Sequence, residues 1–194
     1  MTIGSSIWHW GPPQGHQTHP ITPSRFASRP PRSSRVAIEL KSIFTEHGKA
    51  RRNRLRDFSA FHNYAHSYGP KTIAGAFLLI NAAEYFYSPL RKADDITHHG
   101  GPKLSAREVA AESVKLFRTI GLRNSAQDPP GLEAIAVLVI EHDNLHVHPE
   151  RQGHKAKHRP TRVLQTAPAP QVGDPLHYQT FIQRICSQFV TRFA

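Results

Sequence analysis

Three polar groups stand at the ends of the apolar stretches of this chain, and their residue types are those that bind metals and move protons. His62 and His66 are four residues apart. On a helix that spacing sets both imidazoles on one face, which suits a divalent metal, or an acid beside a ligand. Glu84, with Asn81 three residues earlier, lies near the end of the longest apolar run. A carboxylate there is costly unless it is paired, protonated or metal-bound. His142-Asp143 closes the nearly continuous apolar run Leu132–Ile140, with His146 and His148 just beyond. Neutral imidazole and carboxylate are the usual ligands of zinc, manganese and iron. Each group also has a plainer reading. Fourteen histidines make close pairs common, Glu84 suits a solvent-facing helix end, and His146, His148, His154 and His158 suit a basic surface loop. A fourth group is Lys49–Arg56, with five basic residues in eight. It makes Arg51, Arg52 and Arg54 candidates for phosphate or nucleic-acid contact. A solvated helix face competes with that reading and is preferred, because no aromatic residues interleave with the charges.

The elements that must position these groups read as helices. Val36–Glu46 carries Val36, Ile38, Leu40, Ile43 and Phe44 in a short amphipathic pattern. Gly69-Pro70 opens a stretch in which Ile73, Phe77, Ile80, Glu84 and Tyr87 fall at helical spacing, and Pro89 closes it. Its small residues, Ala74, Gly75, Ala76, Ala82 and Ala83, suit close helix packing, so it is the expected central helix. Ser105 and Glu108 form a capping box for a helix with the stripe Val109, Ser113, Leu116, Phe117 and Ile120, and Gly121 suits its end. Leu132–Ile140 fits a buried strand or a buried helix. Helix is chosen because its neighbours read helical. Pro149–Gln171 is Pro-, His- and base-rich and reads as a long exposed loop. Asp174-Pro175 then opens a last helix whose buried face carries Tyr178, Phe181, Ile182, Ile185 and Phe189, with Cys186 packed beside it.

The bulk composition bounds the rest. The first 35 residues hold six prolines, four arginines and no acids, and read as a disordered basic arm before a single domain over 36–194. One cysteine excludes an intramolecular disulfide and fits a reducing, cytoplasmic setting. No apolar run is long enough to span a membrane. The net charge of +11 is compatible with nucleic acid, acidic lipid or phosphorylated partners. There is no glycine-rich phosphate loop, no H-E-x-x-H, no C-x-x-C, no G-x-S-x-G and no standard nucleic-acid module.

Phe61-His-Asn-Tyr-Ala-His66 resembles the aromatic-His-Asn-x-x-His motif of the small HD-superfamily metal-dependent phosphohydrolases and of the related cyclic-nucleotide phosphodiesterases. Ala83–Pro89 is similar to the end of that family's next apolar helix, where its His-Asp pair stands. Ser105–Leu122, Leu132–His142 and Tyr178–Val190 resemble its later helices. The resemblance implies an all-α, HD-like fold with a long basic loop. It implies a divalent metal cofactor held by His66, Glu84 and His142, with Asp143 beside them. It also implies hydrolysis of a phosphoester of a phosphorylated small molecule, with His62 as catalytic acid or phosphate holder. The sequence departs from the family where Ala83-Glu84 replaces the His-Asp pair, and where Arg162–Thr166 lacks the late acid. A catalytically inactive descendant is therefore implied equally. A second register takes His142-Asp143 as the pair itself, at the cost of a long insertion. A reading of another class stays open: a basic helical binding protein that meets nucleic acid or an acidic partner through the arm, Lys49–Arg56 and Arg151–Arg162.

Overall fold

The stretch expected to be the central helix is a strand. In the computed structural model, which describes residues 34–87, 96–145 and 158–194, Ile73–Asn81 lies in the middle of a sheet. Among the described residues the elements are, in chain order, β1 (Val36–Ile43), α1 (His47–Tyr68), β2 (Ile73–Asn81), β3 (Tyr85–Tyr87), β4 (Ile96–His98), α2 (Ala106–Phe117), β5 (Ala134–Glu141), β6 (Arg162–Val163) and α3 (Tyr178–Phe193). The sheet order is β1-β2-β5-β6. The first three strands are parallel, β6 is antiparallel to β5, and β3 and β4 form a separate antiparallel pair.

This mixed α/β architecture overturns the all-α expectation and, with it, the HD-like bundle, the hydrolase-like identity and the all-helical core of the alternative binding protein. The physical reason is burial on both faces. Strands of a parallel sheet covered by helices lose polar–apolar alternation and read as continuous apolar runs. The core of β2 and β5, Ala74, Ala76, Leu78 and Ile80 with Ile135, Val137 and Val139, packs against Phe58 of α1 and Val114 and Phe117 of α2. The Phe58 and Phe117 rings meet edge to face with centroids 5.9 Å apart. The opposite face, Phe77, Ala134 and Ala136, packs on Phe181 and Ile185 of α3. The small residues do permit close approach, but of α3 to the sheet: a Cβ on Gly75 would lie 3.0 Å from the Phe181 ring. Burying one such phenylalanine contributes about 1.5–3 kcal/mol.

Strand β1 was expected to be helical. Its Ile38 and Leu40 pair with Gly75 and Phe77 and so share the α3 face, yet both stay exposed. Leu40 is 70% exposed. A half-covered edge strand carries no clean period, which is why five apolar residues passed for a helical stripe.

Helix α1 does hold His62 and His66, and also the whole Lys49–Arg56 patch. The capping box of α2 forms as expected: Ser105 Oγ accepts from the Glu108 N–H, and Glu108 accepts from the Ser105 N–H. That helix ends at Phe117, short of Gly121. The last helix starts at Tyr178 rather than at Asp174-Pro175. Asp174 instead accepts from the Leu176 N–H in the preceding turn, and His177 is the N-cap. Cys186 is exposed rather than packed. The basic arm (to residue 33), Pro89, and His146, His148 and His154 lie outside the described residues. Ser33–Ala194 forms one compact unit. Among the described residues, no helix is long and apolar enough to cross a membrane.

Candidate functional site at the carboxyl edge of the sheet

The sheet separates the expected ligand groups onto its two ends. Helix α1 runs back from the end of β1 to the start of β2, so His62 and His66 lie at the amino edge. Glu84 follows β2, and His142 and Asp143 follow β5, at the carboxyl edge. A strand of eight residues rises about 26 Å, and a shared metal needs bonds near 2 Å. The set does not converge. Among the described residues, no group of three or more His, Cys, Asp or Glu is placed to hold a metal ion.

At the amino edge the polar groups close on one another. Glu133 is fully buried. Its carboxylate accepts from the Ala74 N–H at 2.6 Å, from Arg123 at 3.2 Å and from Arg192 at 2.9 Å. Arg123 also donates to Pro70 O and Ala126 O, and Arg192 donates to Thr72 O. His66 donates from Nε2 to Gly131 O at 2.8 Å, which leaves Nδ1 to accept from Arg123 at 2.8 Å. These bonds tie the end of α1, the start of both central strands and the end of α3 into one knot. His62 lies beside it with Nδ1 buried and unpartnered. Burial first, and the neighbouring His66 second, push the His62 imidazole below its ordinary pKa, against the pull of Glu133. His66 is therefore a structural member of a buried ion network, which holds strands in place although Arg123 Nε and Arg192 Nε have no partner in it.

The carboxyl edge is open. A cleft of about 630 Å³ lies beyond the ends of β2 and β5, walled by the loops after each strand and by the start of α2. Four cationic side chains, Lys103, Arg107, Arg159 and Arg162, face three carboxylates, Glu84, Glu141 and Asp143. Arg107 and Arg162 both hold Glu141, at 2.8 and 2.6 Å. Burial would raise the Glu141 carboxyl, but hydrogen bonds and charge from Arg162 and Arg107 outweigh it and keep the pKa below the usual value. Asp143 accepts from His158 at 2.7 Å and from the Leu145 and Arg159 N–H groups. Burial opposes these bonds as well, and again they prevail and lower its pKa. Glu84 is more exposed and lies 3.4 Å from His98. The His98 ring stacks on Tyr85 at 5.0 Å and 30°, giving a flat aromatic surface on the same cleft.

Asn81 builds the floor from sequence-local chemistry. It stands at the last position of β2, fully buried, where its side chain donates to His142 O and accepts from the His142 and Ala83 N–H groups. One amide thus clasps the ends of β2 and β5 together. His142 donates or accepts through Nδ1 at Thr161 Oγ1, 2.7 Å away. Beside this floor, His47 donates to Asn81 O and His99 donates to Ala83 O, with the two rings 4.9 Å apart. Burial chiefly, and the neighbouring His47, depress the His99 pKa to about 4. Both imidazoles lie on the neutral side at pH 7, because the His47 pKa is also lowered, mainly by burial.

Comparison of the chain with family models, with curated proteins and with solved structures finds no match. The HD resemblance therefore has neither a family match nor a scaffold. Of the residues singled out from sequence, the structure brings Glu84 and Asp143 to one cleft. His142 stands behind it, His62 and His66 lie at the opposite edge, and Arg51, Arg52 and Arg54 lie in the first half of α1. Arg54 is engaged by Asp57 at 2.7 Å and by Ser42 O. Sequence reasoning passed over Tyr85, His98, Arg107 and Glu141, and took Arg162 only as the end of the basic stretch Arg151–Arg162. A usable signal was present: both long apolar runs end in a carboxylate, Glu84 and Glu141, and ligand crevices of open α/β sheets lie outside the carboxyl ends of the strands.

Proposed function

We propose that the carboxyl-edge cleft binds a small phosphorylated molecule that carries a planar ring, of the size of a mononucleotide. The observation that carries this reading is the pairing of Arg107 and Arg162 with the Tyr85/His98 stack in one cleft. A planar guanidinium pair matches a phosphate bidentately. Glu141 holds both guanidinium groups oriented, so less rotamer freedom is lost when a phosphate joins them. The aromatic pair offers a face for a nucleobase or similar ring. A cleft of this size falls within the range of small-ligand sites. The single exposed thiol of Cys186 suits a reducing compartment such as the cytoplasm.

The test is isothermal titration of the whole chain with the four common ribonucleoside 5′-monophosphates, and with the corresponding nucleosides. Saturable binding of at least one monophosphate, lost for its nucleoside, is expected. Equal binding of the nucleoside, or no heat from any of the four at millimolar concentration, refutes the reading.

A further inference from the structure

Helix α1 turns one long face to solvent, and its two halves differ in chemistry. Lys49, Arg52, Arg56, Ser59, Ala60, Asn63, Tyr64, Ser67 and Tyr68 are all exposed. Their spacing of three and four residues sets them on one side of the helix. From Lys49 to Tyr68 the face runs about 29 Å. The first half is cationic. The one acid of the helix, Asp57, is taken up by Arg54 at 2.7 Å and faces Lys41 of β1 at 3.9 Å. The second half carries two large aromatic rings that no other element covers. Tyr64 is 64% and Tyr68 60% exposed, and their centroids are 4.7 Å apart at 52°. A tyrosine pair so exposed forfeits most of the stabilisation its burial would contribute, and such paired exposure marks contact surfaces.

We propose that this face of α1 is a docking surface for single-stranded nucleic acid. The phosphates run along Lys49, Arg52 and Arg56, and unstacked bases rest on Tyr64 and Tyr68. Charge complementarity supplies the first half of the argument: a cationic stripe on a chain of net charge +11 attracts a polyanion. The tyrosines select among polyanions. A strand with unpaired bases offers π-faces to stack on such rings, whereas a duplex buries its bases and an acidic peptide has none. The surface is separate from the cleft beyond β2 and β5, and it does not depend on what that cleft binds.

The test is fluorescence anisotropy of the full chain with a labelled 15-nucleotide oligo(U), with a duplex RNA of equal length, and with poly-glutamate as competitor, over a salt series. Two variants are compared with the parent: Arg52→Gln/Arg56→Gln and Tyr64→Ala/Tyr68→Ala. All four positions are exposed, and circular dichroism melts verify that the fold is kept. The single strand is expected to bind more tightly than the duplex. The arginine variant should lower the slope of log affinity against log salt by about 0.7 for each charge removed. The tyrosine variant should weaken binding about tenfold or more with the slope unchanged. Equal affinity for duplex, displacement by poly-glutamate at equal charge concentration, parent-like binding by both variants, or no binding at low salt would each overturn the proposal. The second of these outcomes would point to an acidic protein partner instead.

Discussion

The two ends of the central sheet use the same residue types to opposite effect. At the amino edge His66, Arg123, Glu133 and Arg192 are almost wholly buried, and at the carboxyl edge Glu84, His98, Arg107 and Arg162 are substantially open. Both ends set arginines around a glutamate. At the amino edge, Glu133 also takes a main-chain N–H of the neighbouring strand, and the arginines are occupied by carbonyls. Exchanging any partner there leaves a desolvated charge. At the carboxyl edge, water reaches both guanidinium groups, so a ligand phosphate can join or replace Glu141 at small cost. Solvation, rather than residue identity, separates the ion network that holds the fold from the one that can bind.

The largest expected effect follows from the buried end. Glu133→Gln leaves Arg123 and Arg192 without their counter-charge and should destabilise the protein by about 3–5 kcal/mol, read as a shift of the urea midpoint. A loss below about 1 kcal/mol would mean that the amino edge is no more cohesive than the open one. The next effect comes from pH. The unfolded chain takes up a proton at His99 as pH falls through 6.5, and the folded chain does so only near 4. Stability is therefore present at neutral pH and drains away across that window, by a figure on the order of 3 kcal/mol for His99 alone. His47 and His62 drain in the same direction, since their folded values are also lowered. Urea midpoints at pH 7 and pH 4.5 measure the loss. His99→Asn, whose amide can still donate to Ala83 O, should flatten the slope.

Smaller effects sharpen the contrast at the open end. Ser105→Ala removes the cap of α2 beside the cleft and should cost about 1 kcal/mol, measured by thermal or urea unfolding. Arg107→Ala removes one exposed partner of Glu141. Its effect on stability should stay within about 1 kcal/mol, while monophosphate affinity falls tenfold or more. Equal loss of stability and affinity would erase the distinction between the two edges.

How much of this was legible beforehand depends on which rule each segment obeys. The α2 cap was readable because Ser105 and Glu108 are a local signal, complete within four residues. The spacing of His62 and His66 fits one helix face, but the helix that carries them, α1, was not read from the sequence. Strands β2 and β5 were not, because two-sided burial removed the alternation that marks a strand, and Ala74, Gly75 and Ala76 have little strand preference of their own. Once β2 was taken for a helix, Glu84 became the far end of a metal site. As the first polar residue beyond a central strand, it would have pointed to the cleft. The roles of Glu133, Arg123 and Arg192 arise from contacts across 10 and 59 residues of sequence and left no local trace.

The contrast between the edges is tested most directly by amide chemical-shift mapping of the whole chain during titration with a ribonucleoside monophosphate that binds. The expected shifts fall on Gly100, Gly101, Arg107 and Arg162, with Gly131 and Glu133 unmoved. Shifts concentrated at Gly131, Glu133 and His66, with the cleft silent, would contradict the assignment of binding to the carboxyl edge.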